Sequence, residues 1–162
     1  MGQPKTTPEH EWLQQLVGEW AYEHACPGEP GGEPVKASGI ERVRMLGDLW
    51  AVCETSGTTP DTSDEFNATL TIGFDPEIGK FVGNWYCSLM TKMFVYEGEL
   101  DASRRILTLN TRGPSFTDPK VESEYQDIIE LNADGSRTFR SQAKADDGSW
   151  TEFMRGEYHR KD

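Results

Sequence analysis

The residues of this 162-residue chain best suited to chemistry are polar side chains that share a strand face with apolar ones. Side chains two apart on a β-strand point the same way. His24 therefore falls with Trp20 and Tyr22, Glu54 with Trp50 and Val52, Asp127 with Tyr125 and Ile129, and Glu152 with Trp150 and Met154, while Arg42 and Arg44 fall between Ile40 and Leu46. A charge on a buried face must find a partner, water or a ligand, because leaving it alone is costly. An Arg44 and Glu54 pair across neighbouring strands is one solution; the polar end of a bound molecule is another. Glu54 or Asp127 would also suit a general base, with His24 or Tyr22 as the acid, wherever a substrate reaches them. Trp20, Trp50, Phe81, Trp85, Phe94, Tyr96 and Trp150 are expected on the same inward faces, where aromatic rings either fill a core or hold a flat apolar guest. The candidate ligand-binding set is Trp20, Tyr22, His24, Arg44, Glu54, Trp85, Tyr96, Asp127, Glu152 and Tyr158.

Familiar catalytic signatures are missing from the sequence. It has no Gly-x-Ser-x-Gly elbow, phosphate-binding glycine loop, dinucleotide glycine fingerprint, His-Glu-x-x-His helix or full calcium loop. Ala145-Asp146-Asp147-Gly148 has too few ligands for calcium and reads as a turn. His159 alternates with Thr151, Arg155 and Glu157, away from Tyr158, and is expected on the outside. The sequence thus implies no metal and no cofactor, and it leaves catalysis open.

These side chains need a scaffold, and its elements can be read in order. Trp12, Leu13, Leu16 and Val17 share one face of a short helix, with Thr6 and Glu9 as a capping box, Pro8 in the first turn and Gly18 at its end. Beyond Gly18 the period becomes two. Extended runs are expected at about 19–26, 36–46, 49–57, 66–74, 80–88, 93–101, 105–112, 122–131, 137–146 and 149–160. Short turns such as Asp134-Gly135 and Asp147-Gly148 supply the positive φ of hairpins and join antiparallel neighbours. Two longer segments, Pro27 to Pro34 and Ser56 to Glu65, read as rim loops. About ten meandering strands expose edges unless they close, so the expected fold is all-β, an antiparallel barrel with the short N-terminal helix across one end, in one domain spanning 1–162.

Charge narrows the partners. A formal charge of -12 repels phosphate backbones and anionic lipid, so nucleic acid and membrane are not expected as partners. No segment has the apolar length of a spanning helix or a signal peptide, and the three cysteines match neither a metal knuckle nor a disulfide framework. A cytoplasmic location is expected. Homodimerisation is left open.

Leu16-Val17-Gly18-Glu19-Trp20, a helix end running into a Gly-x-Trp strand, resembles the opening of lipocalin-like (calycin-type) barrels, in which the tryptophan packs across the closed end. Further segments, among them Leu49-Trp50-Ala51-Val52-Cys53-Glu54, Gly73-Phe74-Asp75-Pro76, Val95-Tyr96-Glu97-Gly98 and Gly113-Pro114-Ser115-Phe116, make the whole chain similar to a bacterial family known only as a domain of unknown function. Tyr125-Gln126-Asp127 stands where that family has Tyr-Arg-Asp. The resemblance implies a fold and no chemistry. The first functional expectation is a barrel that binds a small, mostly apolar molecule inside. The alternatives are a small enzyme using Glu54 or Asp127 as base, and a self-associating module with a filled barrel.

Overall fold

The computed structural model describes residues 2–27, 32–59 and 64–161; the tips of both longer loops lie outside these. Helix α1 (Pro8–Leu13) and a 3-10 turn (Gln14–Leu16) lead into ten strands: β1 (Gly18–Cys26), β2 (Val35–Leu46), β3 (Trp50–Thr58), β4 (Glu65–Asp75), β5 (Lys80–Cys87), β6 (Phe94–Leu100), β7 (Ile106–Pro114), β8 (Glu122–Leu131), β9 (Arg137–Lys144) and β10 (Trp150–Arg160). Every strand pairs antiparallel with its chain neighbours, and β1 pairs with β10 to close the barrel. The expected class and architecture are what the chain adopts. Gly47, Gly79, Gly135 and Gly148 sit at positive φ in four of the hairpin turns, where a residue with a Cβ would be strained.

Alternation decides the wall. Leu70 and Ile72 of β4, Leu107 and Leu109 of β7 and Ile129 of β8 point inward and are buried, with Thr71 and Thr108 between them on the outer face. Burying each such side chain stabilises the fold by about 1.5–3 kcal/mol.

The helix plugs one end. Its N-cap is Thr7 rather than Thr6, and His10 takes the role expected of Glu9: the His10 backbone N–H donates to Thr7 Oγ1, and His10 Nδ1 accepts from the Thr7 N–H at 3.0 Å. Nε2 of the same ring donates to the Phe74 carbonyl at 3.0 Å and ties the helix to β4. Trp12 Nε1 donates to the carbonyl of Arg104, a non-glycine residue at φ 59, at 2.7 Å. Arg160, near the end of β10, donates to the carbonyls of Gln15 and Val17 and lies over the Trp20 ring. The α-helix stops at Leu13, and Gly18 (φ 138) opens β1 instead of ending the helix. Among the described residues no helix is long and apolar enough to cross a membrane.

Candidate functional site

The interior divides along the barrel axis. Toward the helix it is packed: Trp12, Leu13, Leu16, Trp20, Ile72, Phe81, Leu107, Leu109 and Ile129 are all buried. Toward the opposite rim the inward residues His24, Thr55, Gly57, Trp85, Phe94, Asp127, Phe139 and Met154 are half-buried. Between the two levels lies a floor of polar and aromatic side chains.

One part of that floor is an ion pair. Glu41 of β2 and Arg137 of β9, both buried, form a salt bridge across the barrel, with the guanidinium stacked between the rings of Trp20 (4.6 Å) and Tyr158 (4.3 Å). Thr55 Oγ1 donates to Glu41 Oε2 at 3.4 Å, and Arg137 Nε is buried without a partner.

Beside it stand Tyr22, His24 and Tyr158. His24 Nε2 shares a 2.6 Å hydrogen bond with the Tyr158 hydroxyl, and the Tyr22 and Tyr158 rings stack at 5.3 Å. Burial, reinforced by the Arg137 charge, lowers the His24 pKa to about 4, so the imidazole is neutral at pH 7. Burial also pushes Tyr22 up to about 12, aided by Glu41, and raises Tyr158 and the buried Cys53 thiol. These are neutral hydrogen-bonding groups rather than ready nucleophiles. The Tyr22 hydroxyl rests over Gly39 and Gly57, which face each other in register, and a Cβ on either would collide with it.

The second polar cluster is on the far wall. The Asp127 carboxylate accepts hydrogen bonds from Tyr96 and, at 2.5 Å, from Ser141. Burial raises its pKa against those two bonds, and among the described residues it makes no ion pair. Tyr96 is raised by burial and by the carboxylate it bonds.

Of the ten sequence candidates, Trp20, Tyr22, His24, Trp85, Tyr96, Asp127 and Tyr158 face the interior, and Trp85 packs against Phe94 at 5.9 Å. The other three do not. Arg44 and Glu54 form an exposed pair on the outer face, 3.5 Å apart. They are neighbours as expected, but in β2 and β3 the inward set is Glu41, Val43 and Met45 opposite Ala51, Cys53 and Thr55. Trp50 misled the phase: its ring lies outside, against Gly73 of β4. Glu54 is thereby removed as an interior base. Glu152 is exposed and paired with Arg155 at 2.7 Å, because a bulge between Glu152 and Met154 reverses the facing of Trp150 and Glu152 relative to Tyr158. His159 faces out, as alternation required. Alternation missed Glu41, Arg137 and Ser141, although Val43 and Met45 at the phase of Glu41 carried the signal.

The wall has one weak seam. β6 and β7 pair only from Glu97 opposite Asn110 to Leu100 opposite Leu107. Beyond Tyr96 and Thr111 a depression of about 440 Å³ opens between them, bordered by Met93, Val95, Glu97, Asn110 and Arg112. The Thr111 hydroxyl at its base is buried without a hydrogen-bond partner. The loops flanking this seam expose Leu89, Met90, Phe116 and Val121. Among the described residues no cluster of three or more His, Cys, Asp or Glu is placed to hold a metal ion.

A family profile described as "Protein of unknown function (DUF1579)" matches residues 5–160. None of the curated proteins matches. Among solved structures the chain is similar to Rv2717c from M. tuberculosis, at 14% identity and a TM-score of 0.62, over 98% of this chain and 100% of that one. It is also similar to EF1p2_mFAP2b bound to DFHBI (12% identity, TM-score 0.49, 94% and 99% covered). A redesigned β-barrel, b11L5F_LGL, follows at 11% identity and a TM-score of 0.45, with 93% and 95% covered. At 14% identity the likeness to Rv2717c is one of fold.

Proposed function

This chain belongs to the DUF1579 family of proteins of unknown function, and we propose that its barrel is a receptacle for one small, mostly apolar molecule. The observation that carries this reading is the change along β1, β3 and β5, from Trp20, Tyr22, Ala51, Cys53 and Phe81, buried toward the helix, to His24, Thr55, Gly57 and Trp85, half-buried toward the other end, with polar groups at the boundary. Pockets of this kind, apolar walls with a few convergent polar groups, are the usual form of small-molecule sites. Trp85, Phe94, Phe139 and Met154 form the apolar wall; His24, Tyr22 and Tyr158 on one side and Asp127 with Tyr96 on the other fix orientation. The packed helix end limits the ligand to the outer half of the barrel, which suits a compact ring system better than a long chain.

The neutral fluorophore N-phenyl-1-naphthylamine tests it. Titration is expected to give a saturable fluorescence rise with one site per chain, and Ala143→Phe, which puts a ring on the inward face beside Tyr125, is expected to abolish it. No saturable rise, or the same affinity in the variant, overturns the reading.

A further inference from the structure

Among the described residues the barrel holds two inward carboxylates, Glu41 and Asp127, that are treated differently. Glu41 has a cation of its own, Arg137, stacked between two aromatic rings. Asp127 has only the neutral donors Tyr96 and Ser141. An ionised carboxylate accepts about four hydrogen bonds, so two neutral donors leave it short of both bonds and charge. Tucked against the wall without a cation, such a group is costly to keep.

A second unmet group is close by. Thr111 is buried, with 8% of its surface exposed, and its hydroxyl has no partner. Because Leu109 faces Asp127 and Thr111 faces Tyr125 across β7 and β8, Thr111 and Asp127 are diagonal neighbours on the inner face, about 7 Å apart. A single donor group between them reaches both. The seam between β6 and β7 opens onto the same place, with Tyr96 and Thr111 at its base.

We propose that Asp127 and Thr111 form a subsite for a protonated amine carried on an apolar, aromatic body. This deepens the receptacle reading and rests on it. The ammonium donates to the Asp127 carboxylate and to Thr111 Oγ1, with the Tyr96 hydroxyl already on the same carboxylate. The charges at the mouth do not oppose it. Arg112 is engaged by Glu122 and Glu124, Lys92 stands with Glu97 and Glu124 on the same rim, and the chain as a whole carries -12. A carboxylate ligand, by contrast, meets Asp127 with no interior cation to spare among the described residues, since Arg137 belongs to Glu41.

The test uses three probes of one shape, 1-naphthylmethylamine, 1-naphthylmethanol and 1-naphthoate, titrated into the full chain at pH 7 and followed by amide NMR shifts. The amine is expected to bind about tenfold or more tighter than the alcohol, as a charge-assisted hydrogen bond would give, and the carboxylate weakest. Asp127→Asn, which keeps one acceptor oxygen and leaves the other hydroxyl to turn and accept from the new amide N–H, is expected to bring amine and alcohol together while leaving the alcohol's affinity nearly unchanged. Thr111→Val is expected to weaken the amine about threefold to tenfold. Equal binding of amine and alcohol to the unaltered protein, or a preference that survives Asp127→Asn, overturns the subsite and leaves the receptacle standing. If none of the three binds, the receptacle falls and the subsite with it.

Discussion

His24 shows how one side chain ties the interior to pH. Its folded pKa of about 4 lies below the 6.5 of an exposed histidine, so between those values the unfolded chain binds the proton and the folded chain resists it. Stability is therefore lost as pH falls from 6.5 toward 4, by about 3 kcal/mol in total, and levels off once both states are charged. Urea unfolding at pH 7.5 and 4.5 reads this, and the difference is expected to shrink markedly in His24→Gln; an unchanged difference would mean other groups set the acid limit. The buried pair makes a second residue-scale test. Arg137→Met strands the Glu41 carboxylate and is expected to cost about 3–5 kcal/mol, whereas Glu41→Leu with Arg137→Met removes both charges and is expected to recover most of it. A double variant as unstable as the single one would show that the stacking of Arg137 between Trp20 and Tyr158, not the charge balance, holds the floor together.

Elements were legible where the signal is local, and their facing was not where it depends on neighbours. The expected strand runs agree with β1 to β10 to within two residues, because alternation and turn chemistry sit within a few residues of one another. The facing of β2 and β3 failed for a steric reason. Tyr22 projects over Gly39 and Gly57, which lie beneath its hydroxyl, and the inward residues further along β3 are the small Ala51 and Cys53, so the large Trp50 lies on the outer face against Gly73. The bulge in β10 likewise inserts one residue that no period reveals. Six of the seven interior candidates came from strands whose largest apolar residues do face in; Tyr158 lies beyond the bulge of β10, on the stretch where alternation from the C-terminal end still holds. Glu41 and Arg137 meet through a closure that brings together positions 96 apart in sequence, which no short-range pattern encodes. The glycine niche is testable. Gly57→Ala, whose methyl would meet the Tyr22 hydroxyl and the Ser38 carbonyl, is expected to cost about 1–3 kcal/mol. The cost is expected to be smaller in a Tyr22→Phe background, by denaturant midpoint. Equal costs in both backgrounds would place the clash wholly at the backbone.

Closure is a property of the whole molecule, and it bears on how anything gets inside. A closed barrel leaves no strand edge, which suppresses edge-to-edge association, yet it also denies access except at the rim or where a ladder fails. Here β7 and β8 stay paired from Ile106 opposite Glu130 to Pro114 opposite Glu122, while β6 leaves β7 above Glu97 and Asn110. The seam thus joins the outside to the level of Tyr96, and the exposed Met93 and Val95 that border it offer an apolar approach. Backbone groups that face across the seam lack the ladder bonds that protect the rest of the wall, and local opening costs least where such bonds are missing. Amide hydrogen exchange is therefore expected to be at least about a hundredfold faster for the amides of 94–96 and 111–113 that face the seam than for those of the β7–β8 ladder. Bound ligand is expected to slow them more than amides at the helix end. Uniform protection around all ten strands would mean that the wall does not part there and that molecules reach the interior only through the rim.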